Sequence, residues 1–209
     1  MKELKVKLTF TEEVLGTASG NTELHSEFIA SKAPNAQSME EEVAILGAEA
    51  VEKKDMTIFP KLEDGTPFLY DYQIKGFFKD ACSMLARVAT KDPNTGKKKP
   101  CNESSKLTAY KKIIDGMIFV SPRKIPFDMK GMNIGNCQRP LRAQTAMGER
   151  VALANSETVP AGTTIEFTIM CLSDEHKKAV IEWLDYGKYR GIGQWRNSGK
   201  GAFTYEVVA

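Results

Sequence analysis

Residues 3–10 alternate strictly. Leu4, Val6, Leu8 and Phe10 fall on one side and Lys5, Lys7 and Thr9 on the other, which predicts a half-buried strand. The next clear period is helical. From Asp71, a good N-cap, the residues Ile74, Phe77, Phe78, Ala81, Leu85 and Val88 make an apolar stripe with Lys75 and Lys79 off it. This predicts an amphipathic helix ending before Asp92-Pro93. Ile113, Ile114, Met117, Ile118 and Val120 predict a strand pair or one bent strand over 113–127. The turn Pro160-Ala161-Gly162-Thr163 leads into a strong strand over 164–172. Ser173 or Asp174 then caps a second helix with the stripe Ala179, Val180, Trp183 and Leu184. Gly187 reads as the left-handed residue closing that helix, and 201–208 as the last strand.

Between these elements lie two irregular stretches, 90–110 and 128–150, the second broken by Gly131, Gly135, Pro140 and Gly148. Residues 17–57 read as an insertion. In it Ser38-Met39-Glu40-Glu41 forms a capping box, Met39, Val43, Leu46 and Ala50 recur at helical spacing, and a shorter helical piece fits 22–31. With the inserts removed the order is strand, helix, strand, strand, helix, strand. That predicts an α+β chain with a ferredoxin-like β-α-β-β-α-β core, a helical insertion after the first strand and long loops. Two helices then cover one sheet face, leaving the other face and the loops for ligand, as in the RRM. We read 1–209 as one domain with an acidic helical insertion at about 17–57.

The 209 residues are 42% hydrophobic, enough for a core, and no apolar run approaches the ~20 residues of a membrane span. The first ten residues contain no hydrophobic block of the signal-peptide kind, so a cytosolic protein with no membrane partner is expected. Cys82, Cys101, Cys137 and Cys171 form no C-x-x-C pair and the histidines are His25 and His176, so no metal site is expected. Cys82 and Cys171 read as small core residues. Net charge is +2, unevenly spread: −7 over 12–63 and +7 over 64–209. Such asymmetry suits a polyanion-binding body with an acidic appendage. A basic stretch with Lys97, Lys98, Lys99, Lys106, Lys111 and Lys112 adds positive charge near the first helix, or is simply solvated.

Candidate chemistry concentrates near the C-terminal end. From Gly187 to Gly201 there are five glycines and four cations (Lys188, Arg190, Arg196, Lys200), no acid, and Tyr189 and Trp195 between the cations. Glycines such as Gly191 and Gly193 let backbone amides approach a phosphate, cations neutralise it, and rings stack on bases. We assign Lys75, Lys79, Lys188, Arg190, Arg196 and Lys200 to phosphates, Tyr189 and Trp195 to stacking, and Arg139 and Arg142 to a second contact. Lys75, Lys79, Arg190 and Arg196 are expected to converge on one track. The plainer readings are a Gly-rich hairpin charged for solubility, Trp195 as a core residue, and Arg139 and Arg142 in surface salt bridges with the acidic segment. No Ser-His-Asp set, Walker loop or carboxylate metal cluster can be picked out, so no catalytic residue and no cofactor is expected.

Three segments resemble the RAMP superfamily of CRISPR effector proteins, especially their backbone subunits. Residues 65–79, with Lys75-Gly76 and Lys79, are similar to that family's G-x-P-x-I-P-G-S-S-L-K-G-x-x-R stretch. Residues 159–167, preceded by Arg139-Pro140-Leu141-Arg142 and Glu157, are similar to its V-P-x-G-T-x-F-x-F strand lead-in. Residues 187–193 look like its Gly-rich loop. The resemblance implies the same ferredoxin-like fold and a non-catalytic role in binding single-stranded RNA or DNA, RNA foremost, with further copies of itself or other effector subunits as partners. There are departures. The small P-G-S-S is replaced by Tyr70-Asp71-Tyr72-Gln73, and the loop after the first strand, Gly16-Thr17-Ala18-Ser19-Gly20-Asn21, lacks the aspartate of the RNA-cleaving members. Two alternatives accompany this reading. One is a RAMP-type processing endoribonuclease with His25 as general base between Glu23 and Glu27; the other is an anti-defence protein that binds a protein partner or a signalling nucleotide. In overall style the sequence also resembles proteins of bacteriophages and mobile elements.

Overall fold

The computed structural model describes residues 2–19, 56–88, 90–91, 98–145 and 148–208. The capping box at Ser38, the helical piece at 22–31, His25 and Lys97 lie outside the described residues. Strand β1 (Lys2–Phe10) buries Leu4, Val6, Leu8 and Phe10, the alternation read from the sequence. Two short strands follow, β2 (Val14–Leu15) and β3 (Ala18–Ser19), and the chain returns at β4 (Thr57–Ile58), antiparallel to β3 with Ala18 opposite Ile58. The chain on either side of residues 20–55 is thereby brought together at one adjacent pair of strands.

Strand β5 (Phe68–Tyr70) runs into helix α1 (Asp71–Leu85), which starts one residue earlier than an Asp71 cap would allow. Instead the Tyr70 amide donates to Gln73 Oε1 at 2.7 Å. Ile74, Phe77, Phe78 and Ala81 enter the core, whereas Val88 is 61% exposed because the helix tightens into a 3-10 turn over Ala86–Val88. A two-stranded ribbon (β6, Thr90–Lys91; β7, Lys98–Lys99) and the short helix α2 (Glu103–Lys106) occupy the basic stretch.

Two segments depart from the sequence reading. Residues Tyr110–Met117 form helix α3, and only then does a bent strand begin, as β8 (Ile118–Ser121) and β9 (Lys124–Asp128). The stretch read as irregular from 128 to 150 contains one arm of a long antiparallel hairpin, β10 (Gly135–Thr145) and β11 (Gly148–Val159). Pro140 sits opposite Leu153 on β10, which among the described residues pairs only with β11, so its missing N–H falls on the edge of the strand away from β11. The base of β11 pairs with β2 and β4, joining the hairpin to the start of the insertion.

Strand β12 (Thr164–Cys171) and helix α4 (Asp174–Arg190) follow as expected, with the His176 amide donating to Ser173 Oγ at 3.2 Å. Helix α4 runs three residues past Gly187, correcting the C-terminal assignment; the last strand, β13, is Phe203–Val208. The main sheet has the order β13-β1-β12-β9-β5, with β8 beside β9 on the same edge of β12, and every one of these pairings is antiparallel. Counting only the core strands, this is the fourth-first-third-second arrangement of a β-α-β-β-α-β chain. Both long helices cover one face. Phe77 meets Phe203 at 5.3 Å between centroids and Phe78 meets Trp183 at 5.4 Å. Trp183 is fully buried, and its indole N–H donates to Ser104 Oγ at 2.9 Å, which ties α2 to the core. Cys82 and Cys171 are buried, and burial pushes both thiols up to about 11, so they stay protonated as small apolar residues.

Candidate nucleic-acid interface

Helix α4 passes so close over β13 that a side chain at Gly187 would overlap the Phe203 ring. The helix then ends at Arg190, where the Gly191 amide (φ +71°) donates to the Gly187 carbonyl at 3.0 Å. The next ten residues close on themselves. The Ile192 amide donates to the Gly201 carbonyl at 2.9 Å, and the Gly201 amide to the Glu13 carbonyl at 2.8 Å. Gly201 (φ +72°) lies directly against the Ile192 carbonyl, where no Cβ fits. The amides of Gly191 and Gly201 thus serve the loop's own fold. Gly193 packs near Leu15 of β2.

Asp80 of α1 organises the loop's cations. Arg190 Nε donates to its carboxylate at 2.8 Å, and Arg196 Nη1 does so at 2.8 Å. Arg190 also donates to Asn197 Oδ1 at 2.8 Å. Burial pushes the Asp80 carboxyl up. The Arg190 hydrogen bond and the charges of Arg196 and Arg190 outweigh it and hold the group below the usual carboxylate range. One carboxylate between two guanidiniums leaves a net positive charge. Lys200 is occupied differently, by Glu13 at 2.7 Å and Glu12 at 3.7 Å.

Arg139 of β10 is 7% exposed. It lies 5.2 Å from the Trp195 ring centre and donates from Nη2 to Gln194 Oε1 at 2.9 Å, while its Nε and Nη1 have no partner among the described residues. Trp195 takes a left-handed conformation (φ +53°) and is 42% exposed, so it is a surface ring against a buried cation and not a core residue. Lys188 lies 5.0 Å from the Tyr189 ring, and Tyr189 is exposed. Arg142 sits on β10 opposite Val151.

Lys75 and Lys79 do not join this group. They turn toward α3, where Lys79 Nζ pairs with Asp115 at 2.6 Å and Lys75 Nζ donates to the Asp115 carbonyl at 3.3 Å. The expected single track of Lys75, Lys79, Arg190 and Arg196 is thereby split into two clusters on different sides of α1. Between the loop and α1 lies a cleft of about 450 Å³, lined by Thr17, Tyr72, Gln73, Gly76, Phe77, Asp80, Ile192, Gly193 and Arg196. Asp80, Tyr72, Arg123 and Gln194 were not singled out as site residues in the sequence. The signal available for Tyr72 was its place in the segment that departs from the resembled motif; Asp80 gave none.

No family model and no curated protein sequence matches the chain. In fold it is similar to a chain of the cryo-EM structure of a type III-B Cmr-beta complex bound to cognate target RNA, with a TM-score of 0.50 and 12% identity. That match covers 100% of this chain, which spans 60% of the chain it matches. A type IV-B CRISPR complex is a further neighbour (TM-score 0.49, 12% identity, 100% and 91% covered). Cmr6 from Pyrococcus furiosus is another (0.48, 11%, 98% of each chain). The similarity to the Cmr-beta chain is one of fold. Among the described residues no helix is long and apolar enough to cross a membrane.

Proposed function

We propose that this chain is a non-catalytic, RAMP-type binder of single-stranded nucleic acid, RNA foremost, which it holds across the Gly-rich loop. The observation that carries the reading is the juxtaposition of Trp195 on Arg139 with the Asp80-bridged pair Arg190 and Arg196. An exposed ring, a buried guanidinium with two donors unpaired among the described residues and a cluster of net charge +1 lie on one loop and the strand beneath it. Rings stack on bases without sequence preference and guanidiniums hold phosphates in a fixed fork, the two elements a single strand requires. Lys188 and Tyr189 extend the surface along the end of α4. The Cmr-beta structure of similar fold contains target RNA, which is consistent with this use of the fold.

The test is fluorescence anisotropy with labelled single-stranded RNA and DNA of about 20 nucleotides across a salt series. Three phosphate contacts (Arg139, Lys188 and the Asp80 cluster) give a log-log slope near −2, at about 0.7 each. Replacing Arg190 and Arg196 together by Ala flattens the slope by roughly one unit, whereas replacing Lys75 and Lys79 leaves it unchanged. Absence of salt-dependent binding to any single strand at low ionic strength overturns the reading.

A further inference from the structure

The wall of the cleft opposite the loop is aromatic. Tyr70 and Tyr72 stack with centroids 5.1 Å apart and 16° between their planes, and Phe68 meets Tyr70 edge-on at 4.9 Å. The Arg123 guanidinium is 5.6 Å from the Tyr70 ring centre and 5.5 Å from that of Tyr72. Three nearly equal separations form a triangle, so Arg123 flanks the stack and does not cover the outer face of Tyr72. Its charge is met by Asp71 at 2.7 Å. Tyr72 is 53% exposed and lines the same cleft as Gly76, Gly193 and Arg196. At Gly76 even a Cβ would meet only open space, which keeps the floor beside the ring clear. Arg196 gives Asp80 one hydrogen bond, from Nη1, and the second guanidinium on Asp80 offsets the carboxylate, so the local charge still favours an anion.

A half-exposed ring stacked on one side, a glycine floor and a guanidinium on the facing wall match the parts of one nucleotide. The volume, about 450 Å³, holds one nucleotide and not several. Tyr72 also stands where the resembled motif has a small serine. We infer that the cleft is a single-nucleotide subsite, in which a base stacks on the outer face of Tyr72 while its phosphate is held by Arg196. The inference rests on the nucleic-acid reading above for the strand, and the same chemistry fits a free nucleotide.

Two arms separate these sources. In the first, adenosine 5′-monophosphate and ribose 5-phosphate are titrated against the 15N-labelled chain and followed by amide shifts at 71–76 and 192–196. The base-containing ligand saturates, Tyr72→Leu weakens it about tenfold while leaving ribose 5-phosphate unchanged, and Tyr72→Phe restores it. Arg196→Gln weakens both ligands alike. In the second, a single-stranded RNA with one 2-aminopurine is quenched by the wild-type chain and not by Tyr72→Leu. Tyr72 is half-exposed, and unchanged thermal unfolding confirms that the variant is folded. The subsite is overturned if both small ligands bind alike, or if Tyr72→Leu matches wild type in the first arm. Salt-dependent RNA binding with quenching unaffected by Tyr72→Leu also overturns the subsite and leaves the strand reading standing. Monophosphate stacking without any RNA binding supports the subsite as a free-nucleotide site and removes the strand reading.

Discussion

Helix α1 holds two carboxylate clusters on opposite flanks, and they differ more than their distances suggest. On one flank Lys79 reaches Asp115 at 2.6 Å, but the Asp115 side chain is 57% exposed. On the other, Arg190 and Arg196 reach Asp80 at 2.8 Å each, with all three side chains no more than 28% exposed. The shorter contact is the weaker one. A flexible ammonium gains little from an exposed partner, and salt screens the pair. Two planar guanidiniums on a half-buried carboxylate are pre-organised, and they tie residues 110 and 116 positions later in the chain to the first helix. Cation counts along a sequence do not distinguish these cases; geometry and burial do.

The comparison fails first if the loop that carries the arginines is slack. Gly201→Ala tests that with the largest expected effect. A side chain there must adopt φ +72° and lie against the Ile192 carbonyl, a backbone atom that cannot turn aside. We expect a loss of about 3 kcal/mol or more in urea unfolding. A loss under about 1 kcal/mol shows a loop able to shift, and the Asp80 clamp is then not pre-organised.

Next in size is the direct contrast of the two acids. Asp80→Asn leaves two partly buried guanidiniums facing an amide and should destabilise by about 1–3 kcal/mol. Asp115→Asn should stay within about 0.5 kcal/mol of wild type. Equal effects in the same unfolding assay remove the distinction between the flanks.

The elements whose burial is one-sided were legible in the sequence: the period-two face of β1, the stripe from Ile74 to Ala81 and the stripe from Ala179 to Leu184. The hairpin was not, because Gly135, Pro140 and Gly148 look like breakers unless one knows that β10 is an edge strand that tolerates proline. Helix α3 was missed because Ile113 and Ile114 favour strands intrinsically, while packing of Ile114 in the core decides for helix. Gly187 signalled a helix end by its residue type; what requires glycine there is the Phe203 ring, contributed by the next strand. The site divides in the same way. The Gly-rich loop with Arg190, Trp195 and Arg196 was visible as composition. Asp80 was one of two acids in a helix of balanced charge until tertiary contact supplied its partners, and Arg139 read as a second contact or a surface salt bridge because nothing local marks a buried β10 position under Trp195.

The smallest expected effect is in acid, and it sharpens the contrast by its sign. Burial pushes the Asp80 carboxyl up, but the Arg190 bond and the charges of Arg196 and Arg190 prevail and leave it below the ordinary value. A carboxyl whose folded pKa is depressed contributes fully above its unfolded pKa, about 3.9, and loses that contribution as pH falls through the folded value. From pH 8 to 5 the melting temperatures of wild type and Asp80→Asn should therefore run parallel. Below about pH 4 the gap between them should narrow, since protonation removes from the wild type what the substitution has already removed. A gap between wild type and Asp80→Asn that stays constant down to pH 2.5 means that the carboxylate is not stabilised by its arginines. The two flanks of α1 would then be electrostatically alike.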